Sequence, residues 1–315
     1  MTTIGIDTSN YTTSIAAFHG TEGENCSRLL DVRPGELGLR QSDALFSHVK
    51  RLPELADRLF CHLQEETITA IGVSTRPRAV EGSYMPCFLA GESQARVLSS
   101  ALHVPLYTFS HQQGHIAAAL WGAGRMDLMQ KPHLAWHLSG GTTELLLVEP
   151  EQRNVKATKI GGTTDISAGQ LIDRTGVLLS QTFPCGKALD AMSRQSHSKD
   201  CFKPKVQGLT FSLSGAQNKV TEFFSATHDA EATARFALLT VCAAVFGATK
   251  NAMQQYPGCE VVFSGGVSSN SLLRERMAAF HPIFCPPQYS TDNAMGIAVL
   301  TWLQGEHHEH TDFCG

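Results

Sequence analysis

Two histidines four residues apart, His111 and His115, stand in the stretch SHQQGHIAAALW that runs from Ser110 to Trp121. On a helix, positions i and i+4 share a face, so two imidazole nitrogens there can reach one ion. Ser110 is a residue type that starts helices. The pattern is not that of a zinc peptidase, because Gln112 occupies the position where H-E-x-x-H carries its general base. A bare H-x-x-x-H also suits surface or hydrogen-bonded histidines, so a third ligand from elsewhere has to decide.

Two Ser-Gly-Gly turns follow apolar runs. One is Ser139, Gly140 and Gly141 in SGGTTELLLV; the other holds Gly265 and Gly266 in FSGGVSSNSLLRERM. Glycines let the backbone approach a ligand and turn its N–H groups toward phosphate oxygens. In the second, Asn270 and Ser271 are placed to cap the next helix, whose N-terminus attracts anions. A plain tight turn explains one such motif; two at strand ends lean toward a nucleotide. TTDISAGQLIDRTG places Asp165 and Asp173 near one face of an expected helix. Asp173 suits a ribose hydroxyl, although a solvated acid beside Arg174 is the simpler local reading. FPCGKALD adds a turn at Gly186 and a further carboxylate, Asp190. Arg76 and Arg78 flank Pro77 at a strand tip, where guanidiniums grip phosphate or carboxylate or form an exposed salt-bridged loop. Ser139 lacks the G-x-S-x-G elbow of a serine hydrolase. Cys185 reads as a buried small residue, with no feature that would activate its thiol.

The elements that must position these residues form an alternating series. TIGIDTSNYTTSIAAF and HLAWHLSGGTTELLLV each read as strand, polar turn, strand, which points to two related halves. Buried strands are expected at Ile68–Thr75 and Cys259–Gly266. Helices are expected at Ser42–Gln64, with Pro53 bending or breaking it, and at Glu92–His103, Ile166–Ser180, Ala230–Tyr256, Ser271–Phe280 and Asn293–Gln304. Ser196–Gly208 reads as a long exposed loop. The series is α/β.

The 315 residues, 42% of them hydrophobic, suffice for two cores. A net charge of −4 argues against a strongly basic nucleic-acid binder, though a small basic patch or a partner subunit can recruit RNA. Nine cysteines without C-x-x-C spacing indicate neither a disulfide framework nor a zinc ribbon, and suit a reducing cytoplasm. The apolar run Phe236–Ala248 is too short for a bilayer and reads as a core helix. His307, His308 and His310 read as solvated tail, able to pick up metal adventitiously.

In order, these motifs resemble the Kae1/TsaD family, the tRNA threonylcarbamoyladenosine synthases once called O-sialoglycoprotein endopeptidases. GIDTS resembles G-I-E-T-S, SHQQGHIAA resembles H-x-x-G-H-x-x-A, SGGTTELLLV resembles S-G-G-H-T-x-L, and DISAGQLIDR resembles D-D-A-A-G-E-A-F-D-K. FPCGKALD, FSLSGAQNKV, SGGVSSNSLLRERM and STDNAMGIA match the remaining motifs. The resemblance implies the actin/Hsp70/sugar-kinase (ASKHA) architecture: two duplicated α/β lobes around a nucleotide cleft, here 1–108 plus 293–315 and 109–292, the latter with the metal and adenosine motifs. It implies one divalent metal, iron or zinc, on His111, His115 and Asp292. It places Asp173 and Asp190 on ribose, and Ser139, Gly140, Gly141, Gly186, Gly265, Gly266 and Asn270 along the nucleotide. The implied reaction moves a carbamoyl-type group from threonylcarbamoyl-AMP, or a related acyl-adenylate or ATP, to N6 of a tRNA adenosine. Partner subunits would help to hold the tRNA, and an ASKHA-type homo- or heterodimer would form in the cytoplasm, away from membranes.

The pattern is broken at Tyr11 and Thr12, where the family has an acidic pair, at Thr142, where it has histidine, and at Arg76–Arg78, in a lengthened glycine loop. Those departures mark a divergent paralogue. They keep two alternatives in view: a non-catalytic nucleotide-binding partner or regulator, and a transferase with a non-tRNA acceptor. The old peptidase label has no base or nucleophile to support it.

Overall fold

The computed structural model describes residues 1–9, 11–31, 40–63 and 66–305. Asn10, Gln64, Cys314 and the tail histidines His307, His308 and His310 lie outside the described residues. The chain forms two compact units. Among the described residues, the first comprises those within 1–131, 149–157 and 288–305; the second comprises 132–148 and 158–287. The boundaries expected at 108/109 and 292/293 therefore shift, and His111, His115 and Asp292 all lie in the first unit. The reason is packing: the helix that carries the histidines lies along the final helix of the same unit.

The first unit begins with β1 (Thr2–Thr8), β2 (Thr12–Phe18) and β3 (Gly23–Leu29). Then come α1 (Gln41–His62), β4 (Ile68–Arg76), α2 (Phe88–Leu102), β5 (Leu106–Ser110) and α3 (His111–Gly122). The chain continues with β6 (His133–Leu138), β7 (Thr143–Glu151), β8 (Asn154–Thr163), α4 (Ala168–Leu178), α5 (Gly186–Ser193), β9 (Thr210–Phe211) and α6 (Ser214–Thr227). It proceeds through α7 (Ala230–Gln255), β10 (Val261–Ser264), α8 (Ser271–Met277) and β11 (Ile283–Phe284), and α9 (Met295–Gly305) returns to the first unit.

Both sheets follow one plan. In the first, ordered β3-β2-β1-β4-β5, β1 pairs antiparallel with β2 and parallel with β4. In the second, ordered β11-β10-β6-β7-β8-β9, β6 pairs antiparallel with β7 and parallel with β10. The two hairpins read from the sequence are thus the matching starts of the two sheets. Their parallel neighbours need helical crossovers, and α1 and α2 supply these in the first unit.

Helix α1 runs unbroken through Pro53, where a bend or break was expected. Its buried residues Ala44, His48, Leu52, Leu55 and Leu59 recur at helical spacing. Packing of that face against Ile4, Ile15 and Val73 outweighs the proline's cost of about 3 kcal/mol. Helix α7, 26 residues long, is apolar and long enough to cross a membrane by length and composition, and 72% of its apolar window is buried inside the structure. Its residues Ala237, Val241, Ala244 and Ala248 belong to the second unit's core with Trp136 and Phe263. Trp136 Nε1 donates to Thr249 Oγ1 at 2.9 Å, so even the buried indole is satisfied. Between α5 and β9, the segment 196–208 is loop, as its polar composition demands.

Helices α3 and α9 touch backbone to backbone. A Cβ on Gly296 would lie 1.8 Å from the Gly114 carbonyl oxygen, closer than any side chain can sit. Gly296→Ala should therefore lower the free energy of urea unfolding by roughly 1–3 kcal/mol or more. Gly140→Ala, whose Cβ meets nothing within 4 Å, should change it by less than about 0.5 kcal/mol. Equal effects would show that the helix contact is looser than described.

Candidate metal centre

Helix α3 begins where its first residues require. Ser110 Oγ accepts from Gln113 N at 3.2 Å, and Gln113 Oε1 accepts from Ser110 N at 2.9 Å, closing a capping box. His111 and His115 then project one turn apart, with ring centroids 4.3 Å from each other. The loop before α9 brings the third group. Asn293 accepts from Met295 N and donates to the Thr291 carbonyl at 2.7 Å, while Ala294 N donates to Asn25 Oδ1, so Asp292 is held at a constrained turn.

His115 Nε2 lies 2.9 Å from His111 Nε2 and 3.1 Å from Asp292 Oδ1; the remaining edge, His111 Nε2 to Asp292 Oδ1, is 3.5 Å. Ligands about 2.0–2.1 Å from an ion stand about 3 Å apart, so this triangle fits one divalent cation. His111 turns its other nitrogen, Nδ1, to Asp7 Oδ1 at 2.9 Å. That carboxylate also accepts from the Ser74 hydroxyl. An imidazole whose Nδ1 proton is held by a carboxylate presents Nε2 as a lone pair, the arrangement that supports histidine ligands in metal sites. Asp7 sits mid-sheet on β1 with its side chain 1% exposed. In the sequence Asp7 is marked only as an acid inside the apolar strand TIGIDT.

The charges depend on one another. Burial opposes ionisation of Asp7, but the charge of His111 and hydrogen bonds from His111 and Ser74 outweigh it and lower its pKa. Burial also opposes protonation of His111, yet Asp7 and Asp292 together raise it to about 10. Asp292 is held well below the usual carboxylate range by both histidines, against the burial effect.

The second unit holds the expected nucleotide residues. Ser139, Gly140 and Gly141 form the turn between β6 and β7, with Thr142 N donating to Ser139 Oγ. Gly265 has φ +88°, and a Cβ there would strike the Leu138 carbonyl at 2.2 Å, so only glycine fits. Asn270 caps α8 by accepting from Leu273 N at 3.0 Å. Asp190 Oδ1 accepts from Asn270 Nδ2, Ser271 N and Ser271 Oγ, and its Oδ2 accepts from Arg194. Asp173 Oδ1 accepts from Cys185 N at 2.8 Å at the entry to α5, which begins at Gly186; burial raises the Asp173 carboxyl. Burial likewise raises the Cys185 thiol. Asp165 departs from expectation. It precedes α4, whose cap is Ser167, and instead accepts from Leu213 N and the Ser212 and Ser214 hydroxyls at the start of α6. Those donors, working against burial, lower its pKa. Arg76 and Arg78 are exposed in the first unit, where Arg76 pairs in register with Ser110, the residue before His111.

The fold and site together define a duplicated α/β protein of the ASKHA class. HypF in its phosphate- and nucleotide-bound form superposes with a TM-score of 0.62 at 12% identity, over 98% of this chain and 47% of that one. A ROK hexokinase from Thermus thermophilus gives 0.53 at 12%, over 96% and 99%. The family model described as TsaD, tRNA N6-adenosine threonylcarbamoyltransferase, matches residues 38–299, and the chain belongs to that family of transferases. The tRNA N6-adenosine threonylcarbamoyltransferase of Lactococcus lactis subsp. cremoris (strain MG1363) is 29% identical over 261 residues, 77% of this chain and 72% of its own. The enzyme of that name from Streptococcus pneumoniae (strain Hungary19A-6) is 31% identical over 255 residues, 76% and 71% of the two chains.

In metal-free protein, NMR titration should show His111 still charged at pH 8, with Asp7→Asn returning it toward the ordinary histidine range. Because its pKa is raised, the stability it contributes is complete below pH about 6.5 and lost as pH rises through about 10. A neutral His111 at pH 8 would contradict the described charge pattern.

Proposed function

We propose that this chain is a metal-dependent carbamoyl-type transferase that takes the threonylcarbamoyl group of threonylcarbamoyl-AMP, or of a related acyl-adenylate made from ATP, to N6 of a tRNA adenosine. The triangle of His111, His115 and Asp292, backed by Asp7, carries the reading. Two imidazoles and a carboxylate suit zinc or iron(II) and leave coordination positions for a substrate oxygen. Such an ion, when bound, supplies a Lewis acid and a template for the mixed anhydride.

The protein's own groups do the rest. Asp7 holds the His111 proton at Nδ1 and keeps Nε2 aimed at the ligand position. Asp173 Oδ2 has no hydrogen-bond partner among the described residues, which makes Asp173 the better acceptor for a ribose hydroxyl; Asp190 already receives four donors. The glycines of the two Ser-Gly-Gly turns leave backbone N–H groups for phosphate oxygens. In the transfer, the N6–C bond forms as the anhydride C–O bond breaks. AMP leaves with that electron pair, and N6 yields a proton to solvent. No side chain is assigned as the base. Partner subunits that supply basic surface for tRNA, an ASKHA-type dimer and a cytoplasmic setting belong to the same reading.

A second reading, a different acceptor or a regulatory role, draws on one observation. Thr12, at an acidic position of the family pattern, donates toward Asp292 Oδ2 at 3.4 Å rather than offering a carboxylate.

Expression in cells depleted of their own synthase should restore the tRNA modification, and His115→Ala should abolish the rescue. Untagged protein should carry about one equivalent of iron or zinc, reduced at least tenfold by the same substitution. Bound metal without rescue would move the acceptor away from tRNA. Absence of metal from folded protein would end the metal reading.

A further inference from the structure

His48 lies on α1, fully buried, in the apolar series Ala44, His48, Leu52, Leu55 and Leu59. An aliphatic residue would be the ordinary occupant of that position, because a buried polar ring is costly unless it is hydrogen-bonded. Its Nδ1 is 2.8 Å from Thr13 Oγ1. Thr13 pairs with Thr8 in the ladder, so His48 meets the hairpin of β1 and β2 where the two strands join. Burial pushes the imidazole down to about 4, and it adds no positive charge near Asp7.

The same hairpin carries two groups that touch the candidate ligands. Asp7, two residues before Ser9, holds His111; Thr12, one residue before Thr13, reaches Asp292. Both groups are therefore placed by whatever fixes the paired strand ends. Three buried polar atoms without a hydrogen-bond partner among the described residues, Asp7 Oδ2, Ser9 Oγ and His48 Nε2, belong to β1, the residue after it and the facing position on α1.

We propose that His48 is a positioning residue: from outside the ligand set, it braces the paired ends of β1 and β2, Thr8 and Thr13, through Thr13, and thereby the placing of Asp7 on His111 and of Thr12 on Asp292. The inference rests on the metal reading above for its effect on binding, but not for its effect on the hairpin.

The test uses the full-length protein with Co²⁺ as probe, titrated by its visible absorption, and amide hydrogen exchange at Ser9 and Tyr11–Thr13. His48→Leu should weaken Co²⁺ binding five- to tenfold, alter the spectrum, and speed exchange at those amides at least threefold relative to β4. His48→Asn, which can still reach Thr13, should stay within twofold of wild type. Leu52→Ala, a destabilising control on the same helix face, should lower Tm and leave Co²⁺ affinity and hairpin exchange unchanged. If His48→Leu does not fold, Thr13→Val removes the same bond from the other side. Wild-type affinity and exchange in these variants, or equal losses in Leu52→Ala, overturn the proposal. Should wild-type protein bind no Co²⁺, the metal reading fails by itself. Exchange at Ser9 and Tyr11–Thr13 then decides whether His48 braces the strand ends: faster exchange confined to those amides supports the assignment, and unchanged exchange overturns it.

Discussion

Asp7 is a carboxylate in the middle strand of a sheet, and a buried anion must have a counter-charge or hydrogen-bond donors. Ser74 on β4 and His111 on α3 supply them. Meeting that demand orients the His111 ring, which sends Nε2 toward His115 and Asp292. Three elements far apart in the chain are thereby committed to one point: a strand from the start, a helix from the middle and a loop near the end.

Helix packing makes the commitment geometrically feasible. At Gly114 and Gly296, α3 and α9 approach until no side chain can stand between them, and the loop before α9 is tied by Asn293 and Asn25. These contacts make Asp292 part of the first unit's framework rather than a mobile loop residue. The second unit solves a different problem. Its carboxylates Asp165 and Asp190 are surrounded by hydrogen-bond donors that hold the starts of α6 and α8, while Asp173 has one oxygen without a partner among the described residues. These three acids thus have unequal chemistry, because their neighbours have already used different numbers of lone pairs.

The departures from the family pattern look different in this light. Thr12 replaces a charge with a hydroxyl that leans on Asp292, so that edge of the centre loses an anion and keeps a contact. Tyr11 stands 42% exposed beside it. Family membership therefore goes with a triangle of His111, His115 and Asp292 that could hold a metal ion and with a hydroxyl beside it.

Much of this was legible in residues and spacing. Ser110 and Gln113 announce the start of α3, the i, i+4 histidines announce a shared face, and the paired hairpins announce a duplicated α/β fold. Each is a local rule that near neighbours in the chain suffice to satisfy. Pro53 does not break α1, because its cost is offset by strand residues that the spacing of Leu52, Leu55 and Leu59 does not reveal. Asp165 departs from its local reading because its donors at Ser212 and Ser214 lie nearly fifty residues away. The unit boundary, the tie between Asp7 and His111, and the place of His48 were decided by tertiary structure alone. Which distant groups meet, and how much water is excluded when they do, sets both the partners and the charge of a buried acid or imidazole, and neither is a property of the residue or its neighbours in the chain.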